Sequence, residues 1–99
     1  MATLGQQVLK VRSKNAGPFW ITIDIFCGSE AAFVAVSGKL ETQRVAALTG
    51  TPLQLVKRFD IADLNVIKLS IPRPVVQGSR DDSDMHGAAL AVLIDEMEL

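Results

Sequence analysis

The feature that most constrains the fold is the nine-residue run Phe19-Trp20-Ile21-Thr22-Ile23-Asp24-Ile25-Phe26-Cys27. It is rich in β-branched and aromatic residues, strictly alternating, and bounded by Gly17-Pro18 before and Gly28-Ser29 after, which together read as a strand. Side chains alternate along a strand, so Phe19, Ile21, Ile23, Ile25 and Cys27 share one face. Trp20, Thr22, Asp24 and Phe26 share the other. The first face reads as core, and Cys27 belongs to it. The second mixes large apolar groups with a carboxylate, as expected of a sheet face that is partly covered or is covered by another protein.

Around this strand the chain punctuates itself. Leu4, Val8, Leu9 and Val11 fit either a short strand over 8–12 or helical spacing, with strand preferred. Residues 15–18 read as a turn. Ser29 is placed to cap a helix over 30–36 that has Glu30 in its first turn, and Ser37-Gly38 is expected to interrupt it. A second helix over 40–49 should close at a left-handed Gly50 before Pro52. Residues 53–61 and 64–71 alternate and are joined by a short turn at Ala62-Asp63, predicting an antiparallel hairpin stopped by Pro72-Arg73-Pro74. The polar run 77–84 is a loop, and a short helix should begin at Met85. Residues 92–98 fit either a continuation of that helix or a return as an edge strand, with strand preferred because Val92 and Ile94 are β-branched. The order strand, broken helix, strand, strand, helix, strand is that of an α+β, ferredoxin-like sandwich: an antiparallel sheet with helices on one face.

Composition narrows the function. Ninety-nine residues make one domain, spanning 1–99. Hydrophobic content of 48% supports a real core. A net charge of -1, with basic residues scattered along the chain, argues against nucleic acid as the partner. One cysteine makes no internal disulfide, and no thiolate pattern implies a metal. No cofactor is implied. Neither a signal-like N-terminus nor an apolar run of about 20 residues is present, so a cytoplasmic chain without membrane contact is expected.

Three places carry chemical potential. The stretch Arg12-Ser13-Lys14-Asn15-Ala16-Gly17-Pro18, read as a loop, offers two cations, polar side chains and backbone amides for a carboxylate or phosphate; self-satisfaction of its Ser and Asn is the plainer reading. Arg73, held between prolines, precedes Asp81, Asp82, Asp84 and His86. That spacing matches no EF-hand or zinc motif, so a solvated loop is the plainer reading. His86, the only histidine, suits acid–base work but has no identified partner. Asp24 is costly if buried unpaired and invites a salt bridge from Arg12, Lys14, Lys57 or Arg58, or a role at a shared active site. Trp20, with Phe26 beside it on the same face, is a natural interface anchor.

The run from Val11 to Phe19, the Thr22-Ile23-Asp24-Ile25 after it, Ile71-Pro72-Arg73-Pro74, the acidic loop and His86-Gly87-Ala88 together resemble a small family of proteins of unknown function. That family is similar to the C-terminal ferredoxin-fold domain of AtuA-like (acyclic terpene utilisation) proteins and is commonly encoded beside AtuA-like chains. Where the AtuA-like domain carries a serine-glycine-aspartate-lysine-glycine run, this chain keeps Ser13 and Gly17 with a different interior. The resemblance implies an accessory subunit associated with an AtuA-like protein in acyl or organic-acid catabolism, and supplies no catalytic residues. Arg12, Ser13, Lys14, Asn15 and Arg73 are then the ligand-binding candidates, for a carboxylate or acyl-CoA-type ligand. Trp20 and Phe26 are the interface candidates, toward the larger protein or a second copy. The alternatives are a stand-alone lyase or isomerase of organic acids built on Asp24 and His86 with Arg73 clamping substrate, and a regulatory ligand-binding module. The enzyme reading needs Asp24, His86 and an arginine to converge; the subunit reading needs them dispersed.

Overall fold

The alternation of Ile21, Ile23 and Ile25 sets the centre of the molecule, because all three side chains are buried on one side of a single strand. The computed structural model describes residues 2–73 and 89–99. Its elements are α1 (Leu4–Gln7), β1 (Lys10–Asn15), β2 (Trp20–Phe26), α2 (Glu30–Lys39), α3 (Thr42–Thr49), β3 (Lys57–Ile61), β4 (Val66–Pro72) and α4 (Ala89–Asp95), with 3-10 turns at Leu53–Leu55 and Ala62–Leu64. The four strands form one antiparallel sheet in the order β1-β2-β4-β3. The result is an α+β architecture compatible with a ferredoxin-like fold.

The core lies on one side of the sheet. Ile21, Ile23 and Ile25 from β2 and Ile67, Leu69 and Ile71 from β4 meet Leu4 of α1, Phe33 and Val36 of α2, Val45 of α3 and Ile94 of α4 in one buried cluster. Fully burying such a side chain contributes about 1.5–3 kcal/mol, so these two central strands hold most of the sheet's stability. Cys27 is buried in the same cluster.

Local chemistry explains most element boundaries. Ser29 Oγ accepts from the amide of Ala32 at 3.1 Å, and Gly50 ends α3 at φ 69. Thr3 and Gln6 form a reciprocal capping box that starts α1, so the Leu4 end of the chain is a helical turn and the strand begins only at Lys10. The termini meet: Leu4 N donates to Met97 O at 2.6 Å and Leu99 N to Ala2 O at 3.1 Å.

Several expectations need correction. Residues 92–98 are not an edge strand. The helix α4 covers Ala89–Asp95, with Leu90 and Ile94 at i and i+4 turned toward the core, and Met97, beyond its end, is buried in the same cluster. The fourth strand is instead β1, which runs on to Asn15, so Arg12-Ser13-Lys14-Asn15 is strand and the turn is residues 16–19. Gly17 at φ 79 permits that turn, and Ala16 N donates to Trp20 O at 2.9 Å. Ser37-Gly38 does not interrupt α2, whose end is held from outside by Arg58 Nη2 donating to Ser37 O at 3.0 Å. That contact outweighs the poor helix propensity of glycine. Residues 53–55 form a 3-10 turn closed by Leu55 N on Pro52 O, which delays β3 to Lys57. The expected helix start at Met85 lies outside the described residues.

Candidate functional site

Strand register arranges the side of the sheet that carries none of the described helices. Directly paired residues in an antiparallel sheet share a face, so this side consists of ordered rows. The first is Lys10, Phe26, Val66 and Ile61; the second is Arg12, Asp24, Lys68 and Phe59; the third is Lys14, Thr22, Ser70 and Lys57. Trp20 and Pro72 complete it at the far end. On these strands five cations (Lys10, Arg12, Lys14, Lys57 and Lys68) therefore face outward with one carboxylate, that of Asp24. In a chain of net charge -1 this is a concentrated positive surface.

The aromatic groups are built into the same surface. Lys57 Nζ lies 4.9 Å from the centroid of the Trp20 ring, and Lys10 Nζ lies 5.0 Å from that of Phe26. Both distances are cation–π contacts. Trp20 and Phe26 are half-buried, while Phe59 is 53% exposed at the β3 edge. Asp24 stands opposite Arg12 on one side and Lys68 on the other. Among the described residues the ion pair that closes is Arg58 with Asp60 at 2.8 Å, on the helix side of the sheet.

The proposed loop site is divided by the strand that replaces it. Arg12 and Lys14 point to the face that carries none of the described helices, whereas Ser13 and Asn15 point to the other. Ser13 Oγ accepts from the amide of Ala91 at 3.0 Å, which ties α4 to β1. Asn15 Oδ1 accepts from Arg73 Nη1, and Arg73 N continues the sheet by donating to Phe19 O at 2.8 Å. The structure thus brings Asn15 and Arg73 together, on the face opposite Asp24. His86, Asp81, Asp82 and Asp84 lie outside the described residues. Among the described residues no three His, Cys, Asp or Glu side chains cluster as a metal site would require.

Cys27 has its thiol pushed upward in pKa by burial and, secondarily, by the negative charge of Asp60. It is therefore protonated at neutral pH and poorly suited to nucleophilic work. Two surface cavities of about 450 Å³ and 370 Å³ lie at Glu30, Phe33 and Asp63 and at Arg44, Leu48 and Met97 respectively, and neither is lined by a candidate residue named above. What the arrangement offers chemically is electrostatic: a broad cationic face able to meet an anionic group or an acidic surface. Lys10, Lys68 and Phe59 belong to that face and were not marked in the sequence, whereas Thr22 was placed there by the alternation of its strand and Lys57 was named only as a partner for Asp24. Only the pairing register, which joins residues tens of positions apart, assembles them.

Among the described residues no helix is long and apolar enough to cross a membrane. No curated protein and no solved structure matches the chain. The family model for a domain of unknown function (DUF4387) matches residues 4–98, nearly the whole length, and the chain belongs to that family.

Proposed function

We propose that this chain is a small accessory subunit that docks, by the sheet face that carries none of the described helices, on an AtuA-like larger protein acting in acyl or organic-acid catabolism. In that complex Arg12 and Lys14 face the anion of a carboxylate or acyl-CoA-type ligand. The observation that carries the reading is the gathering of Lys10, Arg12, Lys14, Lys57 and Lys68 around Trp20 and Phe26 on a face without a described helix. Such a surface selects an acidic patch on its partner, through steering and through rejection of positive surfaces. Face-to-face pairing of two copies would set the positive surface against itself, which disfavours a homodimer through this side.

Geometry also bounds the strength of docking. Four strands about 4.8 Å apart and seven residues rising about 3.3 Å each give a face of roughly 19 by 23 Å. That is about half of the roughly 800 Å² each partner contributes to a standard interface. Contact through this face alone is therefore modest and salt-sensitive. Single-stranded nucleic acid is the rival occupant of a basic sheet with aromatic groups, and competition by an oligonucleotide separates the two. The stand-alone lyase reading with Arg73 as the clamp loses support because Asp24 and Arg73 lie on opposite faces. The test is co-expression of the tagged chain with the adjacent AtuA-like chain. Co-purification that a mixed-sequence oligonucleotide does not compete away supports the proposal; recovery of a lone monomer that turns over an organic acid overturns it.

A further inference from the structure

We propose that the third row of the open face, Lys14, Thr22, Ser70 and Lys57, is a binding site for a compact oxyanion, either a carboxylate or inorganic phosphate. Register places Lys14 opposite Thr22, Thr22 opposite Ser70 and Ser70 opposite Lys57. Directly opposed side chains start about 5 Å apart, so two hydroxyls lie side by side with a cation at either end. Thr22 is only 6% exposed, yet among the described residues its Oγ1 is the buried side-chain polar atom that has no hydrogen-bond partner. A buried hydroxyl left unpaired costs stability. Valine would fill the same shape in a strand without that cost. An anion oxygen that reaches Thr22 supplies the missing acceptor.

Lys57 on β3 and Trp20 on β2 meet with the ammonium over the ring, so the contact spans the intervening β4, the strand that carries Ser70. When Lys57 leaves the ring its ammonium is free to meet an anion in the row. Lys14 is exposed at the other end and neutralises the remaining charge. Asp24 in the neighbouring row is flanked by Arg12 and Lys68, which offset its repulsion. The site needs no second protein, so it is testable in the isolated chain whether or not the docking reading holds.

Trp20, the only tryptophan in the chain, reports on Lys57 directly. Its emission is followed while sodium phosphate, sodium acetate or sodium chloride is added at matched ionic strength. The expected result is a saturable change with phosphate or acetate and none with chloride, the tighter of the two anions naming the ligand class. Thr22→Val should weaken that binding about tenfold, the loss of one hydrogen bond, while unfolding at the same or higher urea. Lys57→Met should abolish the emission change yet leave the protein folded. A response that chloride reproduces, an undiminished affinity in Thr22→Val, a Thr22→Val chain that unfolds earlier, or a Lys57→Met chain that still responds would each overturn the proposal.

Discussion

Replacing Arg58 with alanine should loosen the β3 edge from the helices, and so disturb the strand that presents Lys57 and Phe59. The guanidinium is 17% exposed and donates to Ser37 O at 3.0 Å, to Leu40 O, and to Thr42 Oγ1 at 3.3 Å. The first two are carbonyls at the C-terminal end of α2, where the helix leaves acceptors without internal partners and where a cation is favoured. Hydrogen bonds to a charged donor contribute about 1.5 kcal/mol or more each, so losing both costs about 3 kcal/mol. The Asp60 carboxylate, 39% exposed, adds little because exposed ion pairs are screened. For a chain of this size about 3 kcal/mol lowers Tm by roughly 15 °C. Urea unfolding followed by far-UV circular dichroism measures the effect, with Asp60→Asn as the comparison, expected within about 1 kcal/mol of wild type. If Arg58→Ala loses less than about 0.5 kcal/mol, or no more than Asp60→Asn, the argument that this residue clamps sheet to helices is wrong.

Three further outcomes follow from single residues. Burial holds the Cys27 proton more tightly in the folded than in the unfolded chain, so the stability this contributes is complete at neutral pH and is lost as pH rises through the raised thiol pKa. Urea midpoints measured from neutral into the alkaline range should fall, and less so in Cys27→Ala; equal slopes would contradict the assignment. Gly28 has φ 86 and an added Cβ would lie 3.0 Å from Leu9 Cβ, whereas Gly17 has φ 79 and open space. Thermal melts should therefore show Gly28→Ala losing about 2 kcal/mol and Gly17→Ala about 1 kcal/mol. Ile94 is fully buried and Val92 is 56% exposed, so Ile94→Ala should cost about 2–5 kcal/mol and Val92→Ala almost nothing; equal losses would mean that both side chains share a face, as in a strand.

The centre of the sheet was legible because β2 states its pattern locally: Ile21, Ile23 and Ile25 alternate with Trp20, Thr22, Asp24 and Phe26, and one strand suffices to show two faces. The caps at Ser29 and Gly50 were legible for the same reason, since each acts on residues within one helical turn. β1 was only partly legible, because an edge strand with Arg12, Ser13, Lys14 and Asn15 buries too little to show an apolar alternation. At the C-terminus the β-branched Val92 and Ile94 outweighed the longer-period signal of Leu90 and Ile94, which only tertiary burial reveals. Ser37-Gly38 stays helical because of Arg58, twenty residues on, and no local propensity contains that information. The cationic face was hidden most deeply. Its lysines are scattered through the chain and converge only through pairings of β1 with β2, β2 with β4 and β4 with β3.

The affinity of the purified chain for an AtuA-like protein, the partner proposed above, measured by calorimetry at low and high salt for wild type and for a variant carrying Arg12→Glu, Lys14→Glu and Lys68→Glu, bears most directly on this reading. Wild type should bind, should weaken as salt rises, and should lose about 100-fold or more on charge reversal, while the variant keeps its fold because all three side chains lie on the face away from the described core. Binding that ignores both salt and charge reversal would mean that this face is not the docking surface, and no binding at all would mean that an AtuA-like protein is not the partner.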